Sequence, residues 1–399
     1  MTAATAMAAV LAVLAAGLFV WSYGIYPPWI TRRAARAAPF GGPGAPDSGS
    51  ASSVEVLLSA ADEETVIAAR VRDLLAQAGV SRIAIGCDGS RDATAARARE
   101  AATIQAGGTR RPPDPPGVIP VRIVEFRERR GKAAVLNDLI RESTADLLVF
   151  TDANTRFDPG AVAALAGACA APRVGAACGR LVFERAAGAR ETPESDFWDR
   201  ETRLKEAEGR LGVCLGANGA IYAIRRELAA PLPPDTTSMD DFLIPVRVAR
   251  QGWRIVFAGE AVAREDAARD VAAEAARRFR IGVGAGQVLR RERWLWDAGA
   301  HPTLTLAFAS RKAARWLAPL CGILASCAAL ASPPPARWGG AAALGLLAVL
   351  ALGLRRRPSL RGVGGRLYYF AVLNAVLALG VAAGLLGYSR PAWTRTARS

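Results

Sequence analysis

The clearest pattern along this chain is where its uncharged apolar runs fall. Residues 2–31 carry no charge, and residues 316–336, 338–354 and 367–389 are likewise uncharged and rich in Ala, Leu, Val and Gly. A helix needs about 20 mostly apolar residues to cross a bilayer, with a range of about 17 to 25. All four runs satisfy this, so four spans are predicted, one before and three after a long polar region. The first run lacks a basic flank on its N-terminal side, since the first charge is Arg32. It therefore reads as a retained anchor and not as a signal peptide.

Between the first and second runs the apolar positions form short blocks. Residues 40–53 are rich in Gly, Pro and Ser and read as a linker. Residues 54–58, 82–85, 121–126 and 147–150 are β-branched or aromatic blocks that read as buried strands. Helical patterns follow at 63–77, up to about 105, at 132–142 and from Pro159, with a Gly- and Pro-containing loop at 107–117. Strands alternating with helices predict an α/β fold, a mostly parallel sheet with helices on both faces. The expected organisation is an anchor at 1–31, a linker at 32–53, an α/β domain at 54–300, an interfacial segment with three membrane helices at 301–389, and a tail at 390–399.

Charge sets the orientation. Arg32, Arg33 and Arg36 follow the first span, Arg311, Lys312 and Arg315 precede the second, and Arg355, Arg356, Arg357, Arg361 and Arg366 join the third to the fourth. With four spans all of these share one face, which the positive-inside rule makes cytoplasmic. Both termini are then outside, as are the short turn at Ser332 to Pro335 and the tail arginines Arg390, Arg395 and Arg398. The expected location is the inner membrane, multi-pass, with the α/β domain in the cytoplasm. The net charge of +15 is largely accounted for by these juxtamembrane clusters. No zinc spacing or nucleic-acid motif accompanies it, so nucleic acid is not an expected partner. The six cysteines form no CxxC pair and read as reduced thiols. The lone histidine, His301, falls at the junction of domain and membrane segment, away from any catalytic pattern.

Candidate chemistry gathers after successive strands. Asp152-Ala153-Asn154 closes the fourth block, and ligands bind at the carboxyl ends of such strands. Two oxygen ligands so placed suit a hard divalent cation on a diphosphate, although Asp-x-Asn is also a common turn. Asp62-Glu63-Glu64 follows the first block and Asp88-Gly-Ser-Arg-Asp92 the second. Acidic groups in those places serve equally as helix caps. Arg127 to Lys132, a basic run interrupted by Gly131, offers cations for phosphate and a close backbone approach. A solvated basic loop is the alternative.

In their order these motifs resemble the family 2 glycosyltransferases, with their nucleotide-binding GT-A fold. The resemblance rests on Asp62-Glu63-Glu64, Asp88-Gly-Ser-Arg-Asp92, Gly131-Lys132-Ala-Ala-Val-Leu-Asn137 and Asp152-Ala-Asn154. Downstream, Gly216-Ala-Asn218-Gly219-Ala220 and Ser238-Met-Asp240-Asp241 are similar to the family's acceptor-side loop and catalytic acidic pair. Arg277-Arg278-Phe279-Arg280-Ile281 falls where membrane synthases of the cellulose and hyaluronan type carry Gln-x-x-Arg-Trp. The resemblance covers residues 53–290. It implies that Asp62, Glu63, Asp88 and Lys132 bind the nucleotide sugar, with Asp88 on the uracil edge of a UDP-sugar. It further implies that Asp152 and Asn154 hold Mg²⁺ or Mn²⁺, and that Gly216, Asn218 and Gly219 line the acceptor side. Asp241 would be the general base beside Asp240, and Arg277 and Arg280, on a short interfacial helix, would face the diphosphate. The implied reaction is inverting transfer to a lipid-linked or surface-glycan acceptor. Two departures stand out. Asn154 replaces an acid, and Ile281 replaces an aromatic that stacks on a growing glycan, which argues against a processive polysaccharide synthase. A catalytically inactive scaffold is the remaining alternative, opposed by the intact Asp88, Asp152, Asp240 and Asp241.

Overall fold

The parallel core forms because its strands are apolar on both sides. The structure, a computed structural model of the full chain, describes residues 2–37, 53–105, 119–184, 193–266, 271–353 and 362–389. The expected linker at 38–52, the loop at 107–117, and the arginines at 355–361 and 390–398 lie outside the described residues. Eight strands make one sheet: β1 (Val54–Ala60), β2 (Arg82–Asp88), β3 (Val121–Phe126), β4 (Leu147–Thr151), β5 (Arg156–Phe157), β6 (Val174–Glu184), β7 (Tyr222–Arg225) and β8 (Arg254–Asp266), in the order β3-β2-β1-β4-β7-β6-β8-β5. The first four are parallel, with Val56 opposite Ile83 and Leu57 opposite Phe150. Beyond β4 the sheet is mixed: β7 is antiparallel to β4 and β6, while β8 is parallel to β6. The expectation of a mostly parallel sheet therefore describes the first half.

Successive strand residues face opposite sides, and the core divides accordingly. Val54, Val56 and Leu58 of β1 and Leu147 and Val149 of β4 pack beneath Ile67, Val71 and Leu74 of the helix Ile67–Leu75. Leu57, Leu148 and Phe150 face the other way, toward Val135, Leu136 and Leu139 of the helix Lys132–Glu142. This second core does not stop at the domain. It runs on through Phe242 and Phe308 to Trp316, Leu377 and Val381, and it takes in Tyr26, Ile30 and Ala34. The core thus crosses the boundary expected at residue 300. The helix Tyr26–Arg36 likewise runs through the first residues of the expected linker, leaving Arg32, Arg33 and Arg36 exposed.

Three helices among the described residues are long and apolar enough to cross a membrane: Ala3–Arg36, Pro302–Leu330 and Leu367–Leu385. The other predicted run forms the helix Ala336–Gly353, joined to the preceding one by the turn at Ser332 to Pro335. In place of a short interfacial helix, residues 271–291 form the 21-residue helix Val271–Arg291, packed along the helix Gly362–Leu385. The reason is a glycine crossing. A Cβ on Gly384 would lie 2.1 Å from the Val283 carbonyl oxygen, and one on Gly282 would lie 2.4 Å from that of Leu377. Only glycine permits this backbone approach.

This crossing generates a prediction. Gly384→Val should destabilise the protein by about 1–3 kcal/mol, because backbone must move to admit the side chain. Gly345→Val, where a Cβ meets nothing within 4 Å, should stay within about 0.5 kcal/mol of wild type. Thermal unfolding in detergent compares the two. Equal melting temperatures would show that the crossing is loose.

Candidate active site

Because β1, β2 and β4 are parallel, Ala60, Asp88 and Thr151 end at one edge of the sheet. β2 and β3 lie on one side of β1, and β4 lies on the other. Connections diverge at that gap, and ligands bind in such crevices. A cavity of about 770 Å³ opens there, within the range of small-molecule sites. Of the residues to which the resemblance assigned roles, all but Asp62 and Asp88 line it: Glu63, Lys132, Asp152, Asn154, Gly216, Asn218, Gly219, Asp240, Asp241, Arg277 and Arg280.

Asp88 is fully buried, and its two carboxylate oxygens accept the backbone N–H groups of Arg130 (2.7 Å) and Gly131 (2.9 Å). It shapes the loop ahead of Lys132 instead of facing the cavity. Gly89 is required beside it, since a Cβ there would sit 2.5 Å from the Arg129 backbone nitrogen. Asp62 accepts from the Arg91 N–H (2.8 Å) and the Arg129 guanidinium (2.7 Å). Burial pushes its carboxyl up, but these two donors outweigh that and hold it below the usual range. Both acids therefore organise the wall behind the cavity.

Lys132 opens its helix and bridges Asp152 and Asp240, at 2.9 Å from each. Burial pulls the ammonium toward neutrality, yet the two carboxylates prevail and raise its pKa. Behind Asp152 stands Arg70, which sequence reading overlooked. It is fully buried, pairs with Asp73, donates to the Thr151 hydroxyl and lies 4.1 Å from the centre of the Phe157 ring. Asp73 also accepts the Phe157 N–H at 3.1 Å. Arg70 and Asp73 thus set the turn that aims Asp152 and Asn154.

Asp240 and Asp241 begin the helix Asp240–Arg250, where the helix dipole favours negative charge. The preceding Met239 is buried in the left-handed region at φ 77°, an uncommon and costly state for a non-glycine residue. Gly284 of the helix Val271–Arg291 makes room for it, because a Cβ there would meet Met239 Cγ at 2.7 Å. Ala217 donates its N–H to the Asp241 carbonyl at 3.0 Å, tying the loop 216–219 to the pair. Burial pushes the Asp241 carboxyl up to about 6, the charge of Asp240 adds to the shift, and Lys132, Lys312 and Lys205 offset part of it.

On the side of the apolar helices the cavity is lined by Tyr23, Arg311, Lys312, Arg315, Trp316 and Phe370. Arg311 is fully buried. Its guanidinium reaches Glu201 at 2.9 Å and also pairs with Glu208. Tyr26 donates to Glu208 at 3.0 Å, and Arg315 pairs with Glu201 while lying 4.5 Å from the centre of the Tyr23 ring. Arg311 and Arg315 are therefore spent on interior pairing, whereas the sequence suggested a juxtamembrane surface. Two π-helical segments, Trp21–Ile25 and Phe308–Ala313, meet at this point. The added residue in such a turn re-aims side chains and is frequent at functional sites.

The description Glycosyl transferase family group 2 matches residues 147–393, well over half of the chain, and Glycosyl transferase family 2 matches residues 55–230. The chain belongs to this glycosyltransferase family. A mannosyltransferase of Pyrobaculum calidifontis, PcManGT, solved in complex with GDP-Man and Mn²⁺, is similar in fold, with a TM-score of 0.65 over 94% of this chain and 99% of that one at 22% identity. An N-acetylglucosaminyltransferase of Azorhizobium caulinodans is 29% identical over 111 residues, 27% of this chain and 28% of that protein. The match thus spans little more than a quarter of that relative. The glycosyltransferase has the GT-A fold that its motifs implied.

A base must be deprotonated to act, so if Asp241 is the base that the resemblance implies, its carboxyl at about 6 would serve above that pH and not below it. Transfer rate should therefore fall about tenfold per pH unit below pH 6. Asp241→Asn should lower turnover by ~10² to 10⁴ while nucleotide binding persists. A flat profile down to pH 4.5, or full turnover in the Asn variant, would move the base elsewhere.

Proposed function

We propose that this glycosyltransferase moves a sugar from a nucleotide sugar, UDP-linked by our reading, to a hydroxyl of a lipid-linked or surface-glycan acceptor, with inversion at the anomeric carbon. The observation that carries this is the cavity's continuity. It joins Asp152 and Asn154 at the sheet edge to Asp240 and Asp241, and continues to Trp316 and Phe370 on apolar helices. A donor at the strand ends and an acceptor held by membrane helices would meet beside Asp241. Asp241 takes the acceptor proton as the hydroxyl attacks from the face opposite the leaving diphosphate. Lys132, Arg277 and Arg280 line the same space and counter the charge that grows on that leaving group. Ile281 also lines it and offers no ring for a growing glycan, which favours single transfer.

The donor set suits Mg²⁺ or Mn²⁺ held jointly with the substrate. Among the described residues no three His, Cys, Asp or Glu side chains gather as a metal cage. Asp152 and Asn154 supply one carboxylate and one amide oxygen. The Lys132 ammonium already bridges Asp152 and Asp240, marking a place that calls for positive charge. Gly219 leaves space in front of Asp152, since a Cβ there would lie 3.0 Å from Oδ2. Divalent ions bound through one or two carboxylates and substrate phosphates fit such a set. When bound, the ion would neutralise the departing diphosphate.

We place the α/β domain in the cytoplasm of a multi-pass inner-membrane protein. Support comes from the three apolar helices and from the exposed Arg32, Arg33 and Arg36 beside the first.

Three outcomes test this reading. Membranes supplied with a panel of radiolabelled UDP- and GDP-sugars should place label in the lipid fraction; label only in long polymer would favour a processive synthase, and none at all an inactive scaffold. Asp152→Ala should abolish Mn²⁺-dependent nucleotide binding by calorimetry while Asn154→Asp retains or tightens it, because carboxylate is the harder ligand. A reporter active only in the cytoplasm should be active when fused after Arg36 and silent after Ser399; activity at Ser399 would make the number of spans odd.

A further inference from the structure

The reaction as proposed gives Lys312 no contact with donor or acceptor, and it acts there only on Asp241 through space. Its ammonium lies against the acceptor loop, because a Cβ on Gly216 would come within 2.9 Å of Nζ. The Phe242 ring centre is 5.8 Å away. Among the described residues it makes no ion pair with a carboxylate, whereas Arg311 and Arg315 on either side of it are matched by Glu201 and Glu208. Lys205, buried, binds Asn218 at the other side of the same loop. Lys312 lines the cavity half-buried, with Arg311 and Lys205 as well as Glu201 and Asp241 acting on it through space, so an anion arriving here would meet several cations and make the direct ion pair that no described carboxylate makes.

This place is distinct from the donor side. Gly219, at one end of the loop, faces Asp152 and Lys132, while Gly216, at the other, faces Lys312. On the far side of Lys312 the cavity continues past Tyr23, Trp316, Phe370 and Leu373, side chains carried by helices long enough to cross a membrane. A charged pocket that opens onto an apolar passage fits an amphiphile with an anionic head.

We infer that Lys312, supported by Lys205, is a second anion site that takes the phosphate of a membrane lipid acceptor, whose hydrocarbon chain follows the passage past Trp316 and Phe370 and whose hydroxyl is thereby brought to Asp241. The inference rests on the glycosyltransfer reading and names the acceptor's chemistry. It asks no covalent step of the lysine.

The chain has only three lysines, Lys132, Lys205 and Lys312, so protection from acetylation can be read at each one by mass spectrometry. The probes are dioctanoyl phosphatidic acid, dioctanoylglycerol and inorganic phosphate, added to the full-length protein in dodecylmaltoside. Phosphatidic acid should slow acetylation of Lys312 at least ~10-fold, with little effect of dioctanoylglycerol or of phosphate at equal concentration. Lys312→Met should bind radiolabelled phosphatidic acid at least ~10-fold more weakly than wild type, and Lys312→Arg should recover most of the loss. No protection of Lys312, or protection by phosphatidic acid and dioctanoylglycerol alike, overturns the inference. Equal protection by inorganic phosphate overturns the lipid assignment and leaves a site for free phosphate. Protection of Lys132 by UDP or GDP with Mn²⁺ is measured on the same wild-type sample. Its failure would count against the donor reading and leave the lipid result standing.

Discussion

The buried guanidinium of Arg311 is the interaction on which the arrangement depends. It lies between Glu201 and Glu208 of the helix Pro193–Arg210, and Glu208 also receives the Tyr26 hydroxyl and the Leu215 N–H. One cation thus ties together the first apolar helix, a helix of the α/β domain and the helix Pro302–Leu330. Burial raises the Glu201 carboxyl, but Arg311 and Arg315 outweigh it and hold Glu201 below its usual range. Burying such a pair gains little net energy over apolar packing, whereas removing one member strands a charge at a cost of about 3–5 kcal/mol. The consequence is specificity of arrangement. Sliding the helix Pro302–Leu330 by even one residue would leave both glutamates without their cation. The cavity wall that Lys312 contributes from this helix is held in register by the same constraint.

Lys132 plays the corresponding part at the donor end. By bridging Asp152 and Asp240 it spans the two motifs that would serve donor and acceptor, and it keeps three charged groups within a few ångströms compatible before substrate enters. An incoming diphosphate with its cation would compete for Asp152 and release the ammonium toward the phosphates. The field at Asp241 would then change at the moment the base is needed. Positioning and electrostatics of this kind supply most of the work in diphosphate departure, and both follow here from how a helix start and two strand ends converge.

Much of this could be read from the sequence, for reasons that are local. Strands β1 to β4 are short β-branched blocks with turn residues between them, and their parallel pairing brings Glu63, Asp152 and Asn154 to one edge whatever the rest of the chain does. The strands beyond β4 are less legible. β8 mixes Arg, Glu and Ala along 13 residues and takes its place through distant pairings, a shifted one with β6 and a short one with β5. Asp88 illustrates the limit for single residues. A carboxylate after a strand fits a nucleoside contact, but the two backbone donors that consume it come from a loop some forty residues later. Arg70 was invisible because an arginine on an amphipathic helix usually points to water, and only Asp73, Thr151 and Phe157 together explain its burial. Arg311 and Arg315 misled in the opposite direction. Beside an apolar run they resemble surface anchors, and their pairing with residues more than a hundred positions earlier is a tertiary fact.

The glycine crossing joins these two ends mechanically. Gly282 and Gly286 bring the helix Val271–Arg291 into backbone contact with the helix Gly362–Leu385, while Gly284 on the same helix accommodates the strained Met239. Arg277 and Arg280, Asp240 and Asp241, and the apolar passage past Phe370 are therefore referred to one rigid pair of helices. A loose linkage would let the apolar passage drift relative to Asp241, the proposed base, and a displacement of about 1 Å is enough to cost ~10²-fold in rate. Side chains between two helices can repack to absorb such drift, but backbone against backbone cannot. The crossing explains why the motif at 277–281 sits on a long helix packed along another apolar helix and not on a free interfacial one. The arginines are placed by the helix Gly362–Leu385, and the turn at Met239 is placed by the arginines' own helix.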